Sequence, residues 1–373
     1  MNPIRVLNIL PEKNYKEAET FVMNIYRNIN RENVQFDFLF QSHEKSIFID
    51  EIKSLGGNVF KIDNLKEVGA HKYRKIAREF FESHKEYKIV HCYLDGFSGV
   101  ILSEAKKAGV EIRIAHMYDK DIKFNKRGYL RFSVNRNSNY KFAYSKEEGN
   151  LFFGEFEKFT LLRNVIDLDK FSYNKDRGKN LRNILNIDNE LVVGYINKSN
   201  KEENNKKIIS IFKKVKNKHK NSKLIMVLNN DYKEEMKEYI NNSGLNNDVI
   251  LIDEKKYLEE DIMQSFNVMM FISDLEIDNF LIKAQENDLP SIVLKNIRED
   301  LDLNLDLVYS FRPKEDEELL AQNIIEKASL RNSIKQNYIK YTMNKLGYDS
   351  KKEAKILENF YLSIYGKNNQ NIL

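Results

Sequence analysis

The sequence predicts an α/β chain of two doubly wound, Rossmann-like domains, and three observations lead there. Short apolar runs alternate with helical stripes along almost the whole chain, and that alternation builds parallel sheets with helices on both faces. At 373 residues the chain is too long for one ordinary core and fits two domains. The stretch Val268 to Val293 reads as strand, loop, helix and strand. Its first run, Val268 to Ile272, is apolar throughout, as a strand covered on both faces must be. In a doubly wound sheet the loop after a strand end is where ligands bind.

The elements of the first domain follow in order. Ile4 to Leu10 is a strand, and Glu17 to Ile29 has helical spacing, with Ala18, Phe21, Val22, Ile25 and Tyr26 on one stripe. Val34 to Leu39 alternates toward a second strand. Ile47 to Leu55 is a short helix that Gly56 and Gly57 end before the strand Val59 to Ile62. Tyr73 to Phe81 is helical, Ile89 to Cys92 a strand, Gly99 to Ala108 a helix and Ile112 to Ala115 a strand. Phe142 to Tyr144 is a short strand, and Ser145 caps the helix after it.

Phe171 to Lys179 (FSYNKDRGK) is polar and carries a glycine, so it reads as the boundary. Beyond it, helices at Leu181 to Leu185, Asn204 to Lys218, Tyr232 to Asn242 and Tyr257 to Ser265 alternate with strands at Leu191 to Ile196, Leu224 to Leu228 and Val249 to Ile252. Phe280, Leu281, Ala284 and Gln285 belong to the helix after Ile272. Glu315 to Glu326, Ile334 to Leu346 and Lys351 to Tyr365 read as later helices. The expected domains are 1–170, 171–345 and a returning segment, 346–373.

Composition narrows the classes. No run of 18 apolar residues exists, so no membrane-spanning helix is expected. The N-terminus enters a strand at once, which points to a cytoplasmic protein. The single cysteine, Cys92, excludes an internal disulfide and a cysteine metal cluster. His91 and His116 lack a nearby third ligand, so no metal is expected. The net charge is +5, and seven basic residues with no acid fall between Lys123 and Lys146. Such a stretch is either a solvated basic face or a contact for anionic lipid at the inner face of a membrane, or for a diphosphate acceptor. Nucleic acid is not expected, because no nucleic-acid module accompanies the charge.

Short motifs in the right order carry a resemblance. Ser273, Glu276, Leu281, Ile282, Ala284, Gln285, Leu289 and Pro290 match the pattern S-x-x-E-G-[LF]-P-V-V-L-I-E-A-Q-A-x-G-L-P. Ala18 to Phe21 matches A-E-T-F, Val90-His91 matches the start of V-H-S-H, and Arg113 to His116 matches the start of R-I-A-H-S-H-N. Arg163 to Asp167 resembles P-N-x-I-D. In these motifs, over residues 3 to 365, the chain resembles the retaining nucleotide-sugar glycosyltransferases of family 4, especially the capsular and exopolysaccharide members.

The resemblance implies a GT-B fold, with two Rossmann-like domains facing a cleft and C-terminal helices packing back on the first. It implies transfer of a sugar from a nucleotide sugar, a UDP-sugar above all, to a polysaccharide or lipid-linked glycan, with no further cofactor. The residues it assigns to catalysis are His116, Glu276 and Lys198. Gly194, Asn197, Lys201, Asp274 and Lys283 fall to the donor, and His91, Asp119 and Lys16 to the acceptor side.

Several positions depart from the pattern. Lys283 stands where the second glutamate belongs, and Glu276 takes the first glutamate's place only with one residue deleted. Lys16 and Glu17 replace a glycine pair, Glu203 replaces a lysine, and Leu228 to Asn230 lack the usual glycines. An ammonium has no acceptor for a ribose hydroxyl. The alternative expectation is therefore a catalytically inactive homologue that binds or stabilises a partner glycosyltransferase.

Overall fold

The computed structural model describes residues 2–11, 16–42, 46–117, 127–197, 202–228, 233–253, 255–272, 277–312 and 315–370. The chain divides into two compact units, Met1–Asp167 with Gly347–Leu373, and Leu168–Leu346.

The first unit is built on seven strands: β1 (Ile4–Leu10), β2 (Val34–Phe40), β3 (Val59–Lys61), β4 (Ile89–Cys92), β5 (Ile112–Met117), β6 (Tyr140–Ala143) and β7 (Thr160–Leu161). They pair in parallel in the order β3-β2-β1-β4-β5-β6-β7. Every residue of β2 is buried, including Asp37, so its charge must be met inside the fold. Arg5 does so, with Nε 2.6 Å from Asp37 Oδ2, and the Tyr87 hydroxyl and the Asn58 amide also donate to that carboxylate. Ser145 caps the helix Lys146–Phe153 as expected, its side chain accepting from the Glu148 amide.

The second unit holds β8 (Leu191–Ile196), β9 (Ser222–Leu228), β10 (Val249–Asp253), β11 (Val268–Phe271), β12 (Ser291–Val293) and β13 (Val308–Ser310). These are again parallel, in the order β10-β9-β8-β11-β12-β13. Val193, Tyr195, Ile208, Phe212, Met226 and Met270 lie in its core.

The C-terminal helix Ser350–Gln370 belongs to the first unit, where Ala354, Leu357, Tyr361 and Ile364 join the core with Val6, Phe21 and Phe36. Its entry is fixed by a parallel bridge between Ile166 and Asp349.

Two local readings change and one helix is added. The polar stretch Phe171 to Lys179 is folded within the second unit, spanning the end of the helix Leu168–Phe171 and the start of Lys175–Ile184. Asn174 caps the second of these helices, and a Cβ on Gly178 would strike the Gln264 carbonyl, so this glycine serves close packing. Arg127–Asn137 is a helix, with Leu130 and Val134 buried beneath its basic residues. The helix read at Tyr73 to Phe81 extends over Leu65–Ser83, broken at Gly69, whose φ of 75° is open to glycine.

Candidate functional site

Both sheets reverse their winding at one place, between β1 and β4 in the first and between β8 and β11 in the second. Ligands bind beyond the carboxyl ends of the strands at such a switch point. Asp119, Lys198, Lys201, Asp274 and Glu276 follow β5, β8 or β11 in the chain and lie outside the described residues. Lys16 opens the helix Lys16–Tyr26, with only its backbone described.

His91 and His116 are brought together. They sit in β4 and β5, and His116 Nδ1 is 3.3 Å from His91 Nε2. His91 Nδ1 is in turn 2.7 Å from the Tyr361 hydroxyl on the C-terminal helix. Phe21, Tyr93 and Phe142 surround His116, with its ring edge-on to Phe21 at 5.3 Å between centroids. Both histidines are buried. Burial holds His91 well below the usual imidazole range and lowers His116 to about 3. Two neutral rings whose nitrogens face each other need one proton between them, so this order fixes the tautomers jointly.

In the second unit, Gly194 lies within β8, opposite Ile225 and Met269. A Cβ there would enter the ring of Phe266. Asn197, at the end of β8, donates from Nδ2 to Asn205 Oδ1 at 2.7 Å and so ties the strand end to the helix Glu202–Lys218.

Lys283 is buried in the helix Ile277–Glu286. Its Nζ donates to Glu259 Oε1 at 2.5 Å and lies 4.9 Å from the ring centre of Phe171 and 5.3 Å from that of Phe280. The carboxylate and the two aromatic faces offset the cost of taking this ammonium out of water. Glu259 was not anticipated, since it starts a different helix, Glu259–Gln264.

A second polar cluster was also missed. Glu286, Asn287 and Asp288 are all buried. Glu286 Oε1 accepts from the Ser172 hydroxyl at 2.7 Å and from Gln336 Nε2 at 3.0 Å. Burial pushes its carboxyl up to about 8, against the opposing influence of Ser172 and Lys340. Asn287 binds Arg331 through its carbonyl and side-chain oxygens. Asp288 stands at the glycine of the G-L-P motif and takes φ of 50°, the left-handed conformation that aspartate tolerates. Among the described residues no group of three histidine, cysteine or acidic side chains could hold a metal ion. Nor is any helix among them long and apolar enough to cross a membrane.

No family model matches the chain. It is 28% identical over 372 residues to EpsF of Bacillus subtilis (strain 168), a glycosyltransferase by name, with 96% of each chain covered. A glycosyltransferase structure from Rickettsia africae superposes with a TM-score of 0.78 at 13% identity, covering 98% of this chain and 99% of that one. HepE of Anabaena, solved with UDP and glucose, superposes with a TM-score of 0.71 at 14% identity, covering 96% of this chain and 100% of that one. The chain thus has the GT-B type of fold, two parallel-sheet Rossmann-like units, and is similar along its length to a glycosyltransferase.

Proposed function

We propose that this protein moves a sugar from a nucleotide sugar, a UDP-sugar, to a polysaccharide or lipid-linked glycan, with retention at the anomeric carbon. The observation that carries the reading is the similarity to EpsF over 96% of both chains. A fold that in HepE accompanies bound UDP supports it. In the transfer, the bond from the anomeric carbon to the diphosphate oxygen breaks and one to an acceptor hydroxyl forms, whose proton leaves with the diphosphate. Lys198 and Lys201, after β8, answer the charge that develops on the diphosphate. Asp274 and Glu276, after β11, take the sugar. At the ribose, Lys283 cannot accept a hydrogen bond, and Glu259, whose carboxylate it holds, supplies the acceptor instead. His116 and His91 serve as a neutral, packed floor on the acceptor side, and Asp119 and Lys16 contact the acceptor. The protein works in the cytoplasm, at a membrane surface reached through the segment Lys123 to Lys146.

A second reading has its own support. Lys283 in place of a glutamate suits an inactive homologue that steadies a partner glycosyltransferase. Calorimetric titration with UDP, GDP and their sugar conjugates separates the two. The transferase reading expects micromolar binding that Lys198→Ala abolishes. Folded protein that binds no nucleotide would leave the partner reading, to be pursued through a co-purifying glycosyltransferase.

A further inference from the structure

What His91 and His116 can do depends on where their ring hydrogens sit. His91 Nδ1 meets the Tyr361 hydroxyl at 2.7 Å, and His91 Nε2 meets His116 Nδ1 at 3.3 Å. Two orders satisfy both contacts. In one, every donor points from Tyr361 toward His116, and in the other every donor points back.

The hydroxyl selects between them. Tyr361 lies on the C-terminal helix Ser350–Gln370, fully buried among Phe36, Phe360 and His91. Burial holds its hydroxyl well above the ordinary tyrosine range, so the hydrogen stays on the oxygen. Among the described residues His91 Nδ1 is the hydroxyl's only hydrogen-bond partner. Asn8, opposite His91 in β1, spends its amide on the carbonyls of Val6 and Asp37. A buried O–H left without an acceptor is costly, whereas an unused lone pair on an oxygen that already donates costs less. The hydroxyl therefore donates to His91 Nδ1. Burial keeps both rings neutral, so each carries one hydrogen. His91 bears its hydrogen on Nε2 and donates to His116 Nδ1, which leaves the hydrogen of His116 on Nε2.

We infer that Tyr361 is a positioning residue: through His91 it fixes His116 in the Nε2–H form, a hydrogen-bond donor to an oxygen of the acceptor glycan and not a base. The part concerning the glycan rests on the proposed sugar transfer, and the proton order does not. His116 stands near the carboxyl end of β5, the end of a doubly wound sheet at which ligands bind. A donor there holds the oxygen of the acceptor hydroxyl and leaves its proton to depart with the diphosphate. His116 cannot take that proton, because its Nδ1 is occupied by His91 and its Nε2 by its own hydrogen.

The test is a long-range nitrogen–proton correlation spectrum of the full chain, labelled with nitrogen-15 histidine, near neutral pH. It reads which ring nitrogen bears the hydrogen. His91→Gln and His116→Gln assign the signals, each by the set it lacks. Both rings should show Nε2–H in the wild type, and a hydrogen on Nδ1 of either ring overturns the inference. Tyr361→Phe keeps the ring and removes the donor. With its fold checked by urea unfolding, Nδ1–H forms should appear on both rings together, and a spectrum like that of the wild type overturns the inference. The wild-type spectrum decides alone where this variant does not fold. Release of UDP from UDP-glucose should fall about tenfold in Tyr361→Phe, the worth of one hydrogen bond, with UDP affinity at the wild-type value. Unchanged turnover beside altered tautomers overturns the role given to His116. Wild-type protein that releases no UDP while both rings show Nε2–H refutes sugar transfer from UDP-glucose and upholds the proton order.

Discussion

Lys283 Nζ and Glu259 Oε1 stand 2.5 Å apart, joining two helices that follow different strands of the second sheet. The lysine is buried and the glutamate side chain 24% exposed. Glu259→Ala takes the carboxylate from a buried ammonium and should cost about 2 kcal/mol, and Lys283→Ala, which leaves a partly exposed glutamate, should cost less. The double variant should cost clearly less than the sum, because both single losses count the same Lys283–Glu259 interaction. Exchange of the two, Lys283→Glu with Glu259→Lys, should recover most of the loss. Urea unfolding of the wild type and the four variants checks this, and strictly additive losses would mean that the pair does not interact.

That pair also marks where sequence reading stops. Apolar runs such as Val268 to Ile272 identify strands because a parallel strand is buried on both faces. Lys283 was legible as a departure from a motif, but its carboxylate lies 24 residues away in another helix, and no periodicity links the two. The helix Arg127–Asn137 escaped because its core positions are only Leu130 and Val134 among basic and polar residues. FSYNKDRGK looked like a boundary because polarity and a glycine also describe a capped helix start packed against a carbonyl. The short strands β7 and β13 carry too few residues to show a period. The candidate loops were legible by position, following strand ends, and the structure adds the two switch points that single out β1, β4, β8 and β11.

The buried chain Tyr361–His91–His116 predicts acid sensitivity in the first unit. Burial lowers His116 from an ordinary value of 6.5 to about 3. Between those values the unfolded chain binds the proton and the folded one does not, so stability is lost as pH falls through that window. His116→Gln should flatten the pH dependence of unfolding below about 6.5, whatever it does to stability at neutral pH. Tyr361→Phe removes the hydroxyl 2.7 Å from His91 and should cost ~1 to 2 kcal/mol at pH 7 by leaving a buried ring nitrogen unpaired. Both effects are read by urea unfolding across pH.

Glu286 predicts the opposite slope in the second unit. Burial raises its carboxyl from 4.5 to about 8. The folded state then holds a proton that the unfolded state releases. Its stabilising share is present below about pH 4.5 and is lost as pH rises through about 8. Glu286→Gln keeps an acceptor for Ser172 and Gln336 and has no proton to lose. It should match the wild type near pH 4 and exceed it above pH 8 by on the order of 1 to 3 kcal/mol. Thermal unfolding at the two ends of that window measures the difference, and parallel curves for the two proteins would refute the assignment.

Gly194 can be tested for packing apart from any ligand role. It sits between Ile225 and Met269 in β8, under the ring of Phe266. The added methyl of Gly194→Ala must displace that ring, and overpacking of this kind costs about 1 to 3 kcal/mol. A smaller partner should make room, so Gly194→Ala with Phe266→Leu should be more stable than Gly194→Ala alone, although Phe266→Leu is itself destabilising. Nucleotide titration on the double variant then gives the reason for the glycine. Binding that returns along with stability assigns Gly194 to packing. Restored stability with binding still lost would mean that the added methyl obstructs the donor itself, beside Asn197 at the end of the same strand.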